Sequence, residues 1–249
     1  MSLFAPPSIL DEVIRSLQAQ GIDLAALGLA WARAMPSVTL IPAFGLKALP
    51  TAGRAVLGLA IAASIFPALA PAAAHDAPWV LAAIEQIFSG LPIAIAAAVP
   101  LWAATMAGGL VDNLRGAQDG ANSVVVEGKP TPLGVPLSIL ASTIFLSTGG
   151  PARVASALAQ PVADHIAERI ARDLANGIGL AVAIGGPLLA AALILEVAAA
   201  LIARAASPAQ IHALLAPLRA LGLLAVIAIV LDRIAAVIAI AVRASPGTG

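Results

Sequence analysis

Residues 79–111, "WVLAAIEQIFSGLPIAIAAAVPLWAATMAGGLV", decide the fold. The stretch carries one charge, Glu85, and is longer than the roughly 20 apolar residues that cross a bilayer as a helix. Nothing in it alternates apolar with polar as a strand does. Ala and Leu dominate, and both favour helix. Pro92 and Pro100 lack the amide hydrogen that an interior helical position donates, so they are expected to kink or divide the run. Directly after it comes "DNLRGAQDG", residues 112–120. Gly108 and Gly109 lead into Asp112, Asn113, Arg115 and Gly116. The expectation from the residues is a polar, glycine-hinged cluster between apolar runs.

The rest of the chain is equally apolar. Of 249 residues, 61% are hydrophobic and 10% charged, and the mean hydropathy is +1.01. A soluble globular domain carries about 25% charged residues. A water-soluble body of this size could not hide so much apolar surface, so the outer face is expected to meet lipid or other apolar subunits. Thirteen basic and thirteen acidic residues cancel, and no basic stripe is present, which argues against nucleic acid as a partner. Cysteine is absent, which excludes thiol chemistry, disulfides and Cys-ligated metals. The first residues, "MSLFAPPSILDEVIR", lack a basic region before an apolar run and do not read as a cleavable signal peptide.

Outward from the central run, the reading is all-α: hydrophobic helical hairpins with broken helices, of integral-membrane type, forming one domain over residues 1–249. Residues 1–21 hold a short amphipathic helix, with Ile9, Leu10, Val13, Ile14 and Leu17 on one face. Apolar runs follow at about 22–46, 55–74, 79–111, 133–146, 178–203 and 214–242. Polar segments at 112–132 and 149–176 separate them, and 244–249 is a flexible tail. Gly185-Gly186-Pro187 is expected to split the fifth run. Within 162–175, Val162, Ile166, Ile170 and Leu174 recur every four residues, and Glu168–Arg172 and Arg169–Asp173 are helical i,i+4 ion pairs. Lys and Arg divide almost evenly between the two sides of a six-span arrangement, so no orientation follows.

No catalytic constellation is present. His75, His165 and His212 lie apart and make no metal-ligand spacing, and no phosphate or dinucleotide fingerprint occurs. Catalytic, cofactor and metal residues are therefore none. Ionisable residues inside apolar runs carry more information. Glu196 sits in "AALILEVAAALIAR", with Arg204 eight residues on, and Asp232 and Arg233 interrupt "VIAIVLDRIAAVIAIAV". A charge at membrane depth costs at least about 2.5–3.5 kcal/mol unless it is paired or hydrated. Asp232 and Arg233 are adjacent and project differently, so each needs a partner from elsewhere. Glu196 with Arg233 is one possible pair. A stand-alone secondary transporter for a small molecule also fits broken helices and buried charges, but no inverted repeat is visible.

The order of several short motifs resembles the SctT/FliR family, an export-gate component of type III secretion systems and bacterial flagella. "RAMPSVTLIPAFG" resembles the family's Arg followed by Pro-x-Phe-Gly through Arg33, Pro42, Phe44 and Gly45. "AGGLVDNLRG" resembles its Gly-x-x-x-Asp-x-x-Arg-Gly through Gly108, Asp112, Arg115 and Gly116, and "IFLSTGG" its Phe-Leu and Gly pair through Phe145, Leu146, Gly149 and Gly150. Glu196, Arg204, Pro217 and Arg219 match a stretch of acid, eight residues, Arg, a loop motif and Pro-x-Lys. That loop departs from the family pattern at Pro208–His212, and Arg219 replaces the lysine. The resemblance implies a non-enzymatic subunit without cofactors in the bacterial inner membrane, within the secretion-system basal body. It implies assembly with SctR- and SctS-type proteins, and with an SctU/FlhB-type protein, around a channel for unfolded secreted protein. Asp112 and Arg115–Gly116 look closer to the injectisome branch than to the flagellar one.

Overall fold

The computed structural model describes residues 16, 19, 23–44, 50–69, 78–114, 131–161, 165–206 and 212–245. The N-terminal helix expected over 8–20, Gly45, Arg115, Gly116, most of the 112–132 segment and residues 246–249 lie outside these. Among the described residues there are seven helices and no strand: α1 (Leu24–Leu40), α2 (Thr51–Leu69), α3 (Trp79–Leu114), α4 (Gly134–Ser147), α5 (Gly150–Leu158), α6 (Ile166–Ala205) and α7 (His212–Ala244). The stretches Thr51–Leu69, Trp79–Asn113, Ile166–Ala205 and Pro217–Ala244 are each long and apolar enough to cross a membrane, and α4 with α5 forms a fifth candidate bent by 66°.

The runs are not divided into separate helices where proline and paired glycine suggest. α3 runs through Pro92 and Pro100, and α6 runs through Gly185-Gly186-Pro187, each as one helix. The charged segment from Ile166 onward is the first part of α6 rather than a separate helix. A proline inside a helix frees the carbonyl four residues earlier but does not itself stop the next turn from forming. The actual break is at Thr148-Gly149. Gly149 has φ +75°, a left-handed conformation that a residue with a Cβ rarely adopts. Gly150 then passes so close to Phe145 that a Cβ there would come within 2.5 Å of its ring.

α3 is the central post, packed against α1, α4, α5, α6 and α7. Its buried face is built from Ala94, Ala97, Ala98, Leu101, Ala104, Ala107 and Val111. Small side chains let backbones approach, which is how apolar helices associate without a hydrophobic drive between them. At Gly90 the approach is closest, with the Arg33 carbonyl of α1 occupying the place a Cβ would take. A Cβ on Gly108 would lie 2.6 Å from the Gly134 backbone at the start of α4. Gly177 of α6 rests on Val99, and Gly185 on Ala107. The same eight-residue step on both helices means that α3 and α6 run parallel, with the bent α4–α5 pair as the return between them.

The glycines of α6 and α3 therefore respond oppositely to a methyl group. Gly90→Ala forces α1 away from α3 and lowers stability by about 1–3 kcal/mol, the usual cost of overpacking. Gly179 faces open space, so Gly179→Ala raises stability by up to about 1 kcal/mol through helix propensity. Thermal unfolding of both variants in detergent, followed by circular dichroism, checks the opposite signs.

Candidate functional site

Polar groups inside this apolar body are few, and each ties two or three elements together. Arg33 of α1 is 3% exposed. One guanidinium nitrogen donates to Gln86 Oε1 of α3 at 3.3 Å, and the other donates to the carbonyl of Gln160, just beyond α5. Burial lowers the Arg33 pKa from its ordinary value, yet a guanidinium stays charged at physiological pH. Its planar fork spans two acceptors that an ammonium could not reach together. Arg33 thus fixes α1, α3 and the exit of α5 in one register.

Asp112 forms the second tie. It is fully buried in the last turn of α3, and its Oδ2 accepts a hydrogen bond from the Leu133 amide at 2.7 Å. Leu133 is the N-cap of α4 and supplies no side-chain acceptor of its own. Thr131 Oγ1 accepts from the Gly134 amide at 3.1 Å. Asp112 and Thr131 together satisfy amide hydrogens that a helix start leaves without partners, and the negative carboxylate suits the positive end of the helix dipole. The expected hinge at Gly108-Gly109 is helical instead, because α3 continues to Leu114. Gly108 provides a close approach to α4 that brings Asp112 within reach of it.

The motifs around Pro42 and Gly149 meet in space. Phe44 and Phe145 are both buried and contact edge to face, with ring centres 5.7 Å apart at 76°. Pro42 lies in the turn just past Ile41, the C-cap of α1, and is partly exposed. Arg153 of α5 closes the same corner. It donates to the Thr148 carbonyl at 2.6 Å and to the Val242 carbonyl at 3.1 Å. Val242 lies in the last turn of α7, where orphan carbonyls and the negative dipole end favour a cation.

A different set of charges sits outside. Glu196 of α6 accepts from Arg219 of α7 at 2.8 Å, with both groups partly exposed. The pair suggested by sequence, Glu196 with Arg233, does not form. α6 and α7 are antiparallel, so a residue about 13 Å before the end of α6 meets one about 10 Å after the start of α7, whereas Arg233 lies about 30 Å along α7. Asp232 and Arg233 are both exposed on the outer face of α7. Arg204 is exposed in the last turn of α6, where a cation is favourable. Glu168–Arg172 forms at 2.6 Å. Arg169 and Asp173 interact through their charges without a salt bridge among the described residues.

Sequence reasoning had no sign of Gln86, Gly90 or Arg153. Each looks ordinary in a one-dimensional reading and gains its role from the chain that crosses it. No group of three or more His, Asp or Glu that could hold a metal occurs among the described residues.

The tie at α4 makes a direct expectation. Asp112→Ala leaves the Leu133 amide buried without its acceptor and costs about 1–3 kcal/mol. Asp112→Asn keeps an acceptor oxygen and costs less. Chemical denaturation of the three forms in the same detergent gives the order, and equal stability of Ala and Asp forms would remove the capping role.

No curated protein sequence matches the chain significantly. The model of a family described as bacterial export proteins, family 1, matches residues 24–244, which takes in every helix from α1 to α7. With that match over nearly its whole length, and with four helices long and apolar enough to cross a membrane, the chain belongs to the family-1 bacterial export proteins.

Proposed function

We propose that this chain is a non-enzymatic core subunit of a type III protein secretion export gate, of the injectisome (SctT) branch rather than the flagellar (FliR) one. It works as one unit over its whole length. It assembles in the bacterial inner membrane with SctR- and SctS-type proteins, and contacts an SctU/FlhB-type protein, inside the basal body. Together they surround a channel through which unfolded protein passes. The observation that carries this reading is the family match over residues 24–244.

The surface of the chain supports it. Only 28% of the apolar window of α6 and 17% of that of α7 is buried, against 61% for α3. Ile229 is 80% exposed, and Leu193, Ile194, Leu218 and Leu221 are also open. Lipid can cover such side chains, but it cannot satisfy Asp232 and Arg233 in the middle of them. Facing subunits with polar groups can, and the saving is of the order of 2.5–3.5 kcal/mol for each charge. In this reading Asp112, with Arg115 and Gly116, sets the packing of the α3–α4 corner that borders the channel. Pro42, Phe44 and Gly45 hold the α1 corner, and Glu196, Arg204 and Arg219 fix the tip of the α6–α7 hairpin for its neighbours. The injectisome preference rests on Asp112 and Arg115-Gly116 in the central segment.

Co-expression with SctR- and SctS-type proteins, followed by native mass spectrometry, is the test. A hetero-oligomer with one copy of this chain is expected. Asp232→Ala and Arg233→Ala are expected to leave its helix content unchanged and to lower the recovered complex by about tenfold or more, as loss of a buried interface charge partner does. A chain that purifies folded, alone and indifferent to those proteins would overturn the proposal in favour of a stand-alone transporter.

A further inference from the structure

A cleft of about 560 Å³ opens where α6 passes from its charged first turns into its apolar length. One wall is α6, with Arg169, Arg172, Asp173 and Asn176 at the polar end and Gly177 and Leu180 below them. The second wall is α3 at Ala96, Val99 and Pro100, and the third is the end of α7 at Ala241, Ala244 and Ser245. Its volume falls within the roughly 300–1,000 Å³ of small-molecule sites.

The charged residues of this cleft all lie on its α6 wall. The Arg169 side chain makes no hydrogen bond among the described residues and lies beside the half-buried Asp173. Arg172 is exposed and its Glu168 partner is outside the cleft. These two guanidinium groups, with the Asn176 amide, form a donor-rich edge suited to a phosphodiester. The Asp173 carboxylate lies on this same wall, in electrostatic contact with both arginines. From the other walls the edge is faced by the Ala96 carbonyl, whose helical donor is removed by Pro100, and by the last turn of α7. Below these groups the walls become apolar. They continue into Ile178, Val182 and Ile240, which are 63%, 58% and 69% exposed.

A ligand matching this cleft has a phosphate, an amine a few ångströms from it, and long apolar chains. We propose that the cleft binds the headgroup of a zwitterionic phospholipid of the phosphatidylethanolamine type. The phosphodiester lies on Arg169, Arg172 and Asn176. The primary ammonium donates to Asp173 and to the Ala96 carbonyl. The acyl chains run down the exposed faces of α6 and α7. This inference rests on placement of the chain in a membrane, as proposed above. Basic pockets between membrane helices hold lipid headgroups in the same manner, and the Asp173 carboxylate here adds selection for an amine.

The test uses the full chain in its co-expressed complex, extracted from carbonate-washed membranes and delipidated. Native mass spectrometry is then run with added phosphatidylethanolamine, phosphatidylcholine or phosphatidylglycerol. One phosphatidylethanolamine per copy of this chain is expected. The trimethylated choline lipid, which has no ammonium hydrogen to donate, is expected to bind at least about tenfold more weakly, and so is the glycerol lipid. Arg169→Ala and Asp173→Ala each reduce retention about tenfold, and Arg169→Lys restores part of it. The comparison of headgroups on the unaltered chain stands even where a variant fails to assemble. Equal retention of the three lipids, or undiminished retention by both alanine variants, overturns the proposal. So does a photo-crosslinker at Asn176 that captures a protein chain in place of lipid. Absence of the chain from the washed membranes defeats the membrane reading itself, and is distinguished from a membrane-resident chain that retains no lipid.

Discussion

In an apolar surround, nothing hydrophobic drives one apolar helix onto another, and the rest of the structure depends on that constraint. What remains is close fit and the few polar contacts that have no alternative partner. α3 is built for the first. Its alanines, with Gly90 and Gly108, present a nearly smooth surface on which the Arg33 carbonyl of α1 and the Gly134 backbone of α4 come to rest. Dispersion between such surfaces is small for each atom pair and large in sum. It is also short-ranged, so a single added methyl group matters more here than in a core packed by leucine.

Smooth surfaces slide, and the buried polar groups prevent it. Arg33 reaches α3 and the residue after α5, Asp112 reaches the first amide of α4, and Arg153 reaches the last turn of α7. Three of these acceptors or donors are main-chain groups, so the contacts read position along a helix and not side-chain identity. Hydroxyl groups inside the helices do not share this role. Ser89, Thr105 and Thr143 donate to carbonyls of their own preceding turn, which satisfies them without linking elements.

The helical class, the apolar runs and the polar interruption near residue 112 are legible in the sequence because hydropathy and composition act locally. What was misread depends on contacts between distant residues. Proline and paired glycine look like breaks in one dimension. Yet the only positive-φ glycine described is Gly149, and at Gly90, Gly108 and Gly177 a neighbouring element lies where a Cβ would be. A sequence shows that glycine is used, but not whether for its dihedral freedom or for its missing side chain. Glu196 shows the same limit. Its partner is set by the antiparallel return of α7, which places Arg219 opposite and Arg233 about 20 Å further along the helix. The likeness among short motifs was informative in a way composition was not, since Phe44 and Phe145, from two motifs about a hundred residues apart, stack on each other.

Burial falls from the closed packing around α3 through α6 to the open outer face of α7. An incomplete core in water would collapse or aggregate, because its apolar surface would be the dominant cost. In lipid that cost vanishes, and the balance moves to the charges. Glu196 and Arg219 satisfy each other within the chain. Asp232 and Arg233 are not placed to do so, since neighbours in sequence diverge by about 100° around a helix. Two opposite charges held apart on one exposed face cost little only where polar groups approach from two directions at once. A lipid layer offers apolar chains at that depth. In the assembly proposed above, helices of adjoining subunits on either side of α7 would offer both polar groups and cover, which makes the least satisfied part of this chain the part expected to meet them.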